Sequence, residues 1–184
     1  MNVQPASLPN VFVFTPRKFS DERGYFFETF RQYEFNDVVG ENIEFVQENQ
    51  SYSKTKGTVR GLHYQKPPFA QGKLVRCIRG ELNDVIVDIR KASPHYSKHI
   101  IVHLSAKNRR QVWIPPGFLH GFVTLAPNTE ICYKCTNYYN SDCDGGVFWA
   151  DKQLAIDWGV NSQNSIVSNK DKRASLFRDF HSPF

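Results

Sequence analysis

Lys73 lies ten positions beyond His63, and the two side chains pose a chemical question before any fold is drawn. His63 sits near the end of a strand-like stretch, Arg60-Gly61-Leu62-His63-Tyr64-Gln65. Lys73 opens the next one, after a linker too rich in proline and glycine (Pro67, Pro68, Gly72) to be helical. A neutral imidazole, with an ordinary pKa of about 6.5, suits general-base work near neutrality. A fixed ammonium stabilises an oxygen that gains negative charge. Together they fit abstraction of a proton next to a carbonyl. A phenol on the opposite side could return the proton and invert the carbon, and Tyr133 and Tyr139 are candidates, lying in and just after a strand-like run. A carboxylate is needed to fix the imidazole tautomer and stabilise its protonated form. Asp84, Asp88, Asp151, Asp157 and Asp171 are all open for that role.

Of the other histidines, His95, His99, His103 and His181 have no chemical company in the sequence. His120 does: it closes Ile114-Pro115-Pro116-Gly117-Phe118-Leu119-His120, the P-x-G-x-x-H form of cupin-type jelly rolls. Metal-binding cupins add an H-x-H and a glutamate. Here the corresponding stretch is His63-Tyr64-Gln65, with Lys73 near the position of the carboxylate. A metal needs three or four N, O or S ligands, and an ammonium repels a cation. The expectation is therefore no metal.

The elements that must carry these residues read as short strands. Val11 to Phe14, Tyr25 to Phe30, Glu44 to Ser53, His99 to Leu104, Gln111 to Ile114, Gly121 to Leu125 and Thr129 to Tyr138 are separated by Asn, Pro and Gly signals. Beyond Lys73, period-2 alternation puts Leu82, Ile86 and Arg90 on one face and Val85, Val87 and Ile89 on the other. The Arg79-Gly80-Glu81 turn reads as joining adjacent antiparallel strands, which would set base and cation on neighbouring strands. Phe45, Gln47 and Asn49 share a face; the amides suit ligand hydrogen bonding or an exposed edge. Gln32 to Val39 reads as a short helix, and Leu154 to Trp158 and Asp171 to Phe180 as helical turns against the sheets. The expected architecture is all-β, a cupin-like jelly-roll sandwich or barrel with a few short peripheral helices, as a single domain over residues 1–184.

Composition narrows the partners. Hydrophobic residues at 40% and charged ones at 22% are ordinary for a globular chain and exclude disorder and membrane helices. The net charge of +5 is spread along the chain with no Lys/Arg run, which suits a small phosphorylated ligand better than nucleic acid. The first sixteen residues carry no Lys or Arg and no long apolar run, so no signal peptide is expected. Cys132 and Cys135 mimic C-x-x-C, but in a strand their odd separation points them to opposite faces. With Cys77 and Cys143 they read as thiols of a cytoplasmic protein.

Four blocks now resemble one family. Arg60-Gly61-Leu62-His63-Tyr64-Gln65, Gln71-Gly72-Lys73-Leu74-Val75, Asp84-Val85-Ile86-Val87-Asp88-Ile89-Arg90 and Ile114-Pro115-Pro116-Gly117-Phe118-Leu119-His120-Gly121-Phe122 are similar, in order and spacing, to the dTDP-4-dehydrorhamnose 3,5-epimerase family. The resemblance runs from about Val11 to Phe177. It implies a cofactor-free enzyme that inverts C3, C5 or both in a dTDP-linked 4-keto-6-deoxyhexose. It also implies a homodimer that exchanges N-terminal strands. Carried across, His63 matches the base, Asp171 its carboxylate, Lys73 the group facing the ketone oxygen and Tyr133 the acid. Arg23, Arg60, Gln47 and Asn49 match diphosphate and sugar contacts. Phe26, Glu28 and Tyr139 match a thymidine clamp, His120 lines the sugar pocket, and Lys170 stands where the family has arginine. Asn169-Lys170-Asp171 replaces an aspartate-arginine-aspartate run, and a lysine cannot form the bidentate fork. Two other readings belong to the same residues: a 3,4-ketoisomerase-like enzyme of the same fold, or a nucleotide-sugar binding module without catalysis.

Overall fold

The computed structural model describes all 184 residues, Met1–Phe184. In chain order, β1 (Asn2–Pro5), β2 (Phe12–Thr15), β3 (Phe19–Asp21) and β4 (Gly24–Phe26) precede helix α1 (Gln32–Val39). The body follows: β5 (Gln47–Ser53), β6 (Thr58–Gln65), β7 (Lys73–Arg79), β8 (Glu81–Asp88), β9 (His99–Ser105), β10 (Gln111–Ile114), β11 (Phe118–Thr124) and β12 (Thr129–Cys135). Two short strands, β13 (Asp144–Gly146) and β14 (Ile166–Val167), and helix α2 (Asn169–Lys172) complete the chain. One sheet has the order β1-β2-β10-β7-β12-β5; the other has β13-β6-β11-β8-β9, with β14 parallel to β6. This is the expected jelly roll.

Gly80 changes the expected arrangement. β7 and β8 are not neighbours: β7 pairs with β10 and β12 in the first sheet, β8 with β11 and β9 in the second. The turn is a corner between sheets. Gly80 adopts φ +76, and a Cβ there would lie 2.5 Å from Thr129 Oγ1, so the corner needs glycine. Lys73 on β7 and His63 on β6 therefore sit on opposed sheets and meet across the sandwich interior.

Alternation then sorts the side chains into three layers. Between the sheets lie Val75, Leu82, Ile86, Val112, Phe122 and Ile131. The outer face of the second sheet, with Val85, Val87, Ile89 and Leu119, is covered by Val147, Trp149, Leu154, Trp158 and Phe177 from the last forty residues. So the apolar residues of the two faces read along β8 are buried, one set in each layer, whereas Arg90 lies beyond the strand end at Asp88 and is half-buried. The outer face of the first sheet, with Phe14, Leu74 and Trp113, is covered by Phe35 of α1 and by Phe45. Phe45 precedes β5 and packs edge-on against Trp113, so it does not share a face with Gln47 and Asn49. Burying this much apolar surface, at roughly 25 cal/mol per Å², is the main drive holding the layers together.

Three expected elements differ. The strand over residues 25–30 ends at Phe26, because its ladder partner β3 starts at Phe19 opposite Phe26 and nothing pairs beyond. Leu154 to Trp158 forms turns, not a helix. There the Asp151 carboxylate accepts from the backbone N–H of Gln153 and Leu154, and Trp158 Nε1 donates to Trp149 O. Such side-chain bonds compete with the helical ladder. The segment 171–180 is helical only at its ends, in α2 and in a 3₁₀ turn over Phe177–Asp179.

Candidate active site

Arg60 and His63 are three residues apart on β6, so a regular strand would point them to opposite faces. A register shift intervenes: His63 pairs with His120, but Arg60 pairs with Phe122. The irregularity falls at Gly61, with φ +122, where a Cβ would lie 2.6 Å from Gly121 Cα and 2.8 Å from His120 O. Both side chains consequently line the interior, which is the re-aiming that bulges perform beside sites.

The ring of His63 is held from behind. Nε2 lies 2.6 Å from Asp171 Oδ1. Asp171 is 4% exposed and its other oxygen accepts from Gly61 N–H. The carboxylate is delivered by α2, whose N-cap Ser168 Oγ accepts from the Asp171 backbone N–H. Burial pushes the Asp171 carboxyl up, but the bonds from His63, Gly61 and Ser168 outweigh it and hold it below the ordinary value. Asp171 therefore stays ionised. With Nε2–H donated to it, the lone pair of His63 is on Nδ1, which no protein group bonds.

Two adjoining cavities of about 440 and 450 Å³ share His63, Lys73, Tyr133 and Lys170 in their walls. The first adds Arg60, His120, Phe122, Ile131 and Asp171. The second adds Gln47, Asn49, Tyr139 and Asp144. Lys73 and Tyr133 come from β7 and β12 on the interior face, the ammonium 5.9 Å from the phenol ring centre. Burial pushes the Tyr133 phenol up, so it is a protonated donor across the neutral range. Burial pulls Lys73 down from its usual value.

The remaining contacts tie the walls together. Arg60 donates through Nη2 to Tyr52 O at 2.9 Å and through Nε to Ser53 Oγ at 3.3 Å. Gln47 Nε2 donates to Asn49 Oδ1 at 3.0 Å, while its Oε1 accepts from Tyr139 N–H at 2.9 Å. His120 Nε2 lies 2.9 Å from Asp84 Oδ2. Lys170 pairs with Asp144, whose carboxylate also accepts from the Tyr139 hydroxyl at 3.3 Å.

Ten of the thirteen side chains expected from the sequence thus surround one space. Arg23, Phe26 and Glu28 do not. Arg23 and Phe26 lie on the β3–β4 hairpin, which stands away from both cavities with Phe19, Tyr25 and Phe26 exposed. Glu28 is paired with Arg31 at 2.7 Å. Asp144 was not singled out by sequence reading, because Asp142-Cys143-Asp144-Gly145-Gly146 has the composition of an ordinary turn. No three His, Cys, Asp or Glu side chains are grouped as metal ligands would be.

A jelly roll with a histidine–carboxylate pair, an ammonium and a phenol around one cavity defines the class of protein: an acid–base enzyme built on a cupin-like frame. A family model described as dTDP-4-dehydrorhamnose 3,5-epimerase matches residues 5–179, and the chain belongs to that family. It is 51% identical over 179 residues to the dTDP-4-dehydrorhamnose 3,5-epimerase of Shigella flexneri, covering 97% of each chain. The crystal structure of the enzyme of that name from Elizabethkingia anophelis superposes with a TM-score of 0.92 at 41% identity, over 97% of both chains. The dTDP-6-deoxy-D-glucose-3,5-epimerase from Legionella pneumophila, solved in complex with dTDP-4-keto-L-rhamnose, gives a TM-score of 0.92 at 40% identity. That match covers 98% of this chain and 94% of that one.

Proposed function

We propose that the chain is an isomerase that epimerises a dTDP-linked 4-keto-6-deoxyhexose at C3 and C5, a step in rhamnose-type deoxysugar synthesis. The observation that carries the reading is the 2.6 Å His63–Asp171 pair opening onto the cavity that Lys73 and Tyr133 also line. C3 and C5 both flank the C4 ketone, so loss of a proton from either gives an enolate with its charge on the same oxygen. His63 Nδ1 takes the proton, and Asp171 stabilises the imidazolium that forms. Lys73 stabilises the enolate oxygen. Tyr133 returns a proton from the other face. Base, acid and cation all come from the chain, so the chemistry calls for no cofactor. Arg60, Lys170, Gln47 and Asn49 supply charge and amides for a diphosphate and a sugar, and Tyr139 a face for thymine. We place the enzyme in the cytoplasm, which its four free cysteines support.

The test is isotopic. In heavy water the enzyme is expected to incorporate deuterium at both C3 and C5 of a dTDP-4-keto-6-deoxyhexose. Label at C3 alone would indicate a single-site epimerase or a ketoisomerase, and no label would leave only a binding module.

The stranded hairpin supports a second part of the proposal, a homodimer in which β3 and β4 of one protomer complete the site of the other. Phe19, Tyr25 and Phe26 are 52%, 63% and 69% exposed, more ring surface than a folded chain leaves bare on one small element. Mixing inactive Arg23→Ala and inactive His63→Ala chains should restore activity, because one site of each mixed dimer is then intact. No recovery after verified subunit exchange would refute the exchanged arrangement.

A further inference from the structure

The interior face of β8 carries a carboxylate between two apolar residues. Asp84 lies between Leu82 and Ile86 on that face and is fully buried, a costly place for a charge without compensation. Its Oδ2 is bonded to His120 Nε2, and its Oδ1 is buried with no hydrogen-bond partner in the protein. His120 stands directly beside His63 in the β6–β11 ladder and lines the same cavity. Two histidine–carboxylate pairs are thus set side by side, and the proposed mechanism uses one of them.

Lys73 explains the second. Burial disfavours its charged form, and the charge of Lys170 from α2 adds to that. Cys135 from β12, Asp144 from β13 and Asp84 from β8 act in the other direction. Burial pushes the Cys135 thiol up, so it is uncharged near neutrality. Asp144 is already paired with the Lys170 ammonium. The remaining titratable groups in the cavity wall are Arg60, Tyr133, His63, His120 and Asp171. Tyr133 is held protonated, and the one standing anion among them, Asp171, has both oxygens engaged, by His63 and by Gly61 N–H. Asp84, with no lysine or arginine paired to it and Oδ1 unbonded, is the carboxylate left to offset the Lys73 charge.

We propose that Asp84 is a positioning residue for the reaction. Its Oδ2 fixes the His120 ring so that Nδ1 is left for the ligand, and its charge keeps Lys73 an ammonium opposite the ketone oxygen. The inference rests on the epimerase reading and extends it.

Asp84→Asn tests it, because the amide keeps the shape and an oxygen for His120 Nε2–H while removing the charge. Loss of a nearby anion lowers the proton affinity of an amine, so the limb where kcat falls with rising pH should move down by about one unit. Lys73→Arg carries a guanidinium that stays charged, so the Lys73 limb should vanish, and adding Asp84→Asn in that background should shift nothing further. A uniform loss at every pH, with the limb unmoved, would show a merely structural role and overturn the inference. Should Asp84→Asn not fold, Lys73 can be titrated in the unaltered chain by the NMR resonance of its Cε. An ammonium at neutral pH supports the proposal, and a neutral amine there overturns it. Absence of exchange in the unaltered enzyme would instead sink the epimerase reading itself, so the two failures are distinct.

Discussion

His63→Ala is expected to abolish deuterium exchange at C3 and C5 together, lowering kcat by about 10³-fold or more, within the range a positioned general base supplies. Affinity for dTDP should change little, because Arg60, Gln47, Asn49 and Tyr139 are untouched. The simultaneous loss at two carbons is the telling part. A single base serves both only if the sugar presents both C–H bonds to the same Nδ1, before and after a shift of the ring. Deuterium exchange followed position by position checks this. Retained exchange at one carbon would assign a second base to it, with His120, next to His63 in the ladder, the first group to examine.

Lys73→Met carries the next largest effect. Methionine keeps the length of the side chain and removes the ammonium. An oxyanion donor is worth about 3–4 kcal/mol, or roughly 10²–10³-fold in kcat. Because the negative charge develops only after proton loss, the loss should fall on kcat and leave KM nearly unchanged. A variant with raised KM and intact kcat would make Lys73 a binding group and remove it from the enolate step.

These two residues were legible in the sequence because local features expose them: an imidazole in a strand stretch, an ammonium at the start of the next, and a linker that cannot be helical. Their spatial relation was not. A turn such as Arg79-Gly80-Glu81 has the same chemistry whether it closes a hairpin or carries the chain round a corner into another sheet, and only the packing of both sheets decides. The same limit applies to the carboxylate that holds His63. Asp171 lies 108 residues from His63 and is brought to it by a short helix capped by Ser168. Residue types and spacing do not separate Asp171 from the four other aspartates considered; only the family resemblance at Asn169-Lys170-Asp171 pointed to it. The bulge at Gly61 is a tertiary matter too, since it depends on the close approach of Gly121. Period-2 alternation along β8 was correct for Leu82 and Ile86 on one face and Val85 and Val87 on the other, each pair buried against a different layer, while Arg90 lies past the strand and is only half-buried. The Leu154 to Trp158 stretch departs from a helical reading because backbone N–H bonds to the Asp151 carboxylate and the Trp158 Nε1 bond to Trp149 O organise that loop instead.

The hairpin bearing Arg23 and Phe26 shows a different kind of limit. Its residues match family positions, yet one chain alone leaves them away from the cavity. On the proposed exchange the partner protomer would supply them, and such sharing leaves no mark in the local pattern of one chain.

The claim beneath all of this is that one sugar ring sits between an imidazole and an ammonium on facing sheets. A crystal structure of the His63→Ala enzyme with dTDP-4-keto-6-deoxyhexose bound tests it most directly. The ketone oxygen is expected within hydrogen-bond distance of Lys73 Nζ, with C3 or C5 facing the space vacated by the imidazole and Tyr133 on the opposite side. A sugar bound with its ketone turned away from Lys73, or lying wholly outside the cavity that His63 lines, would contradict the account.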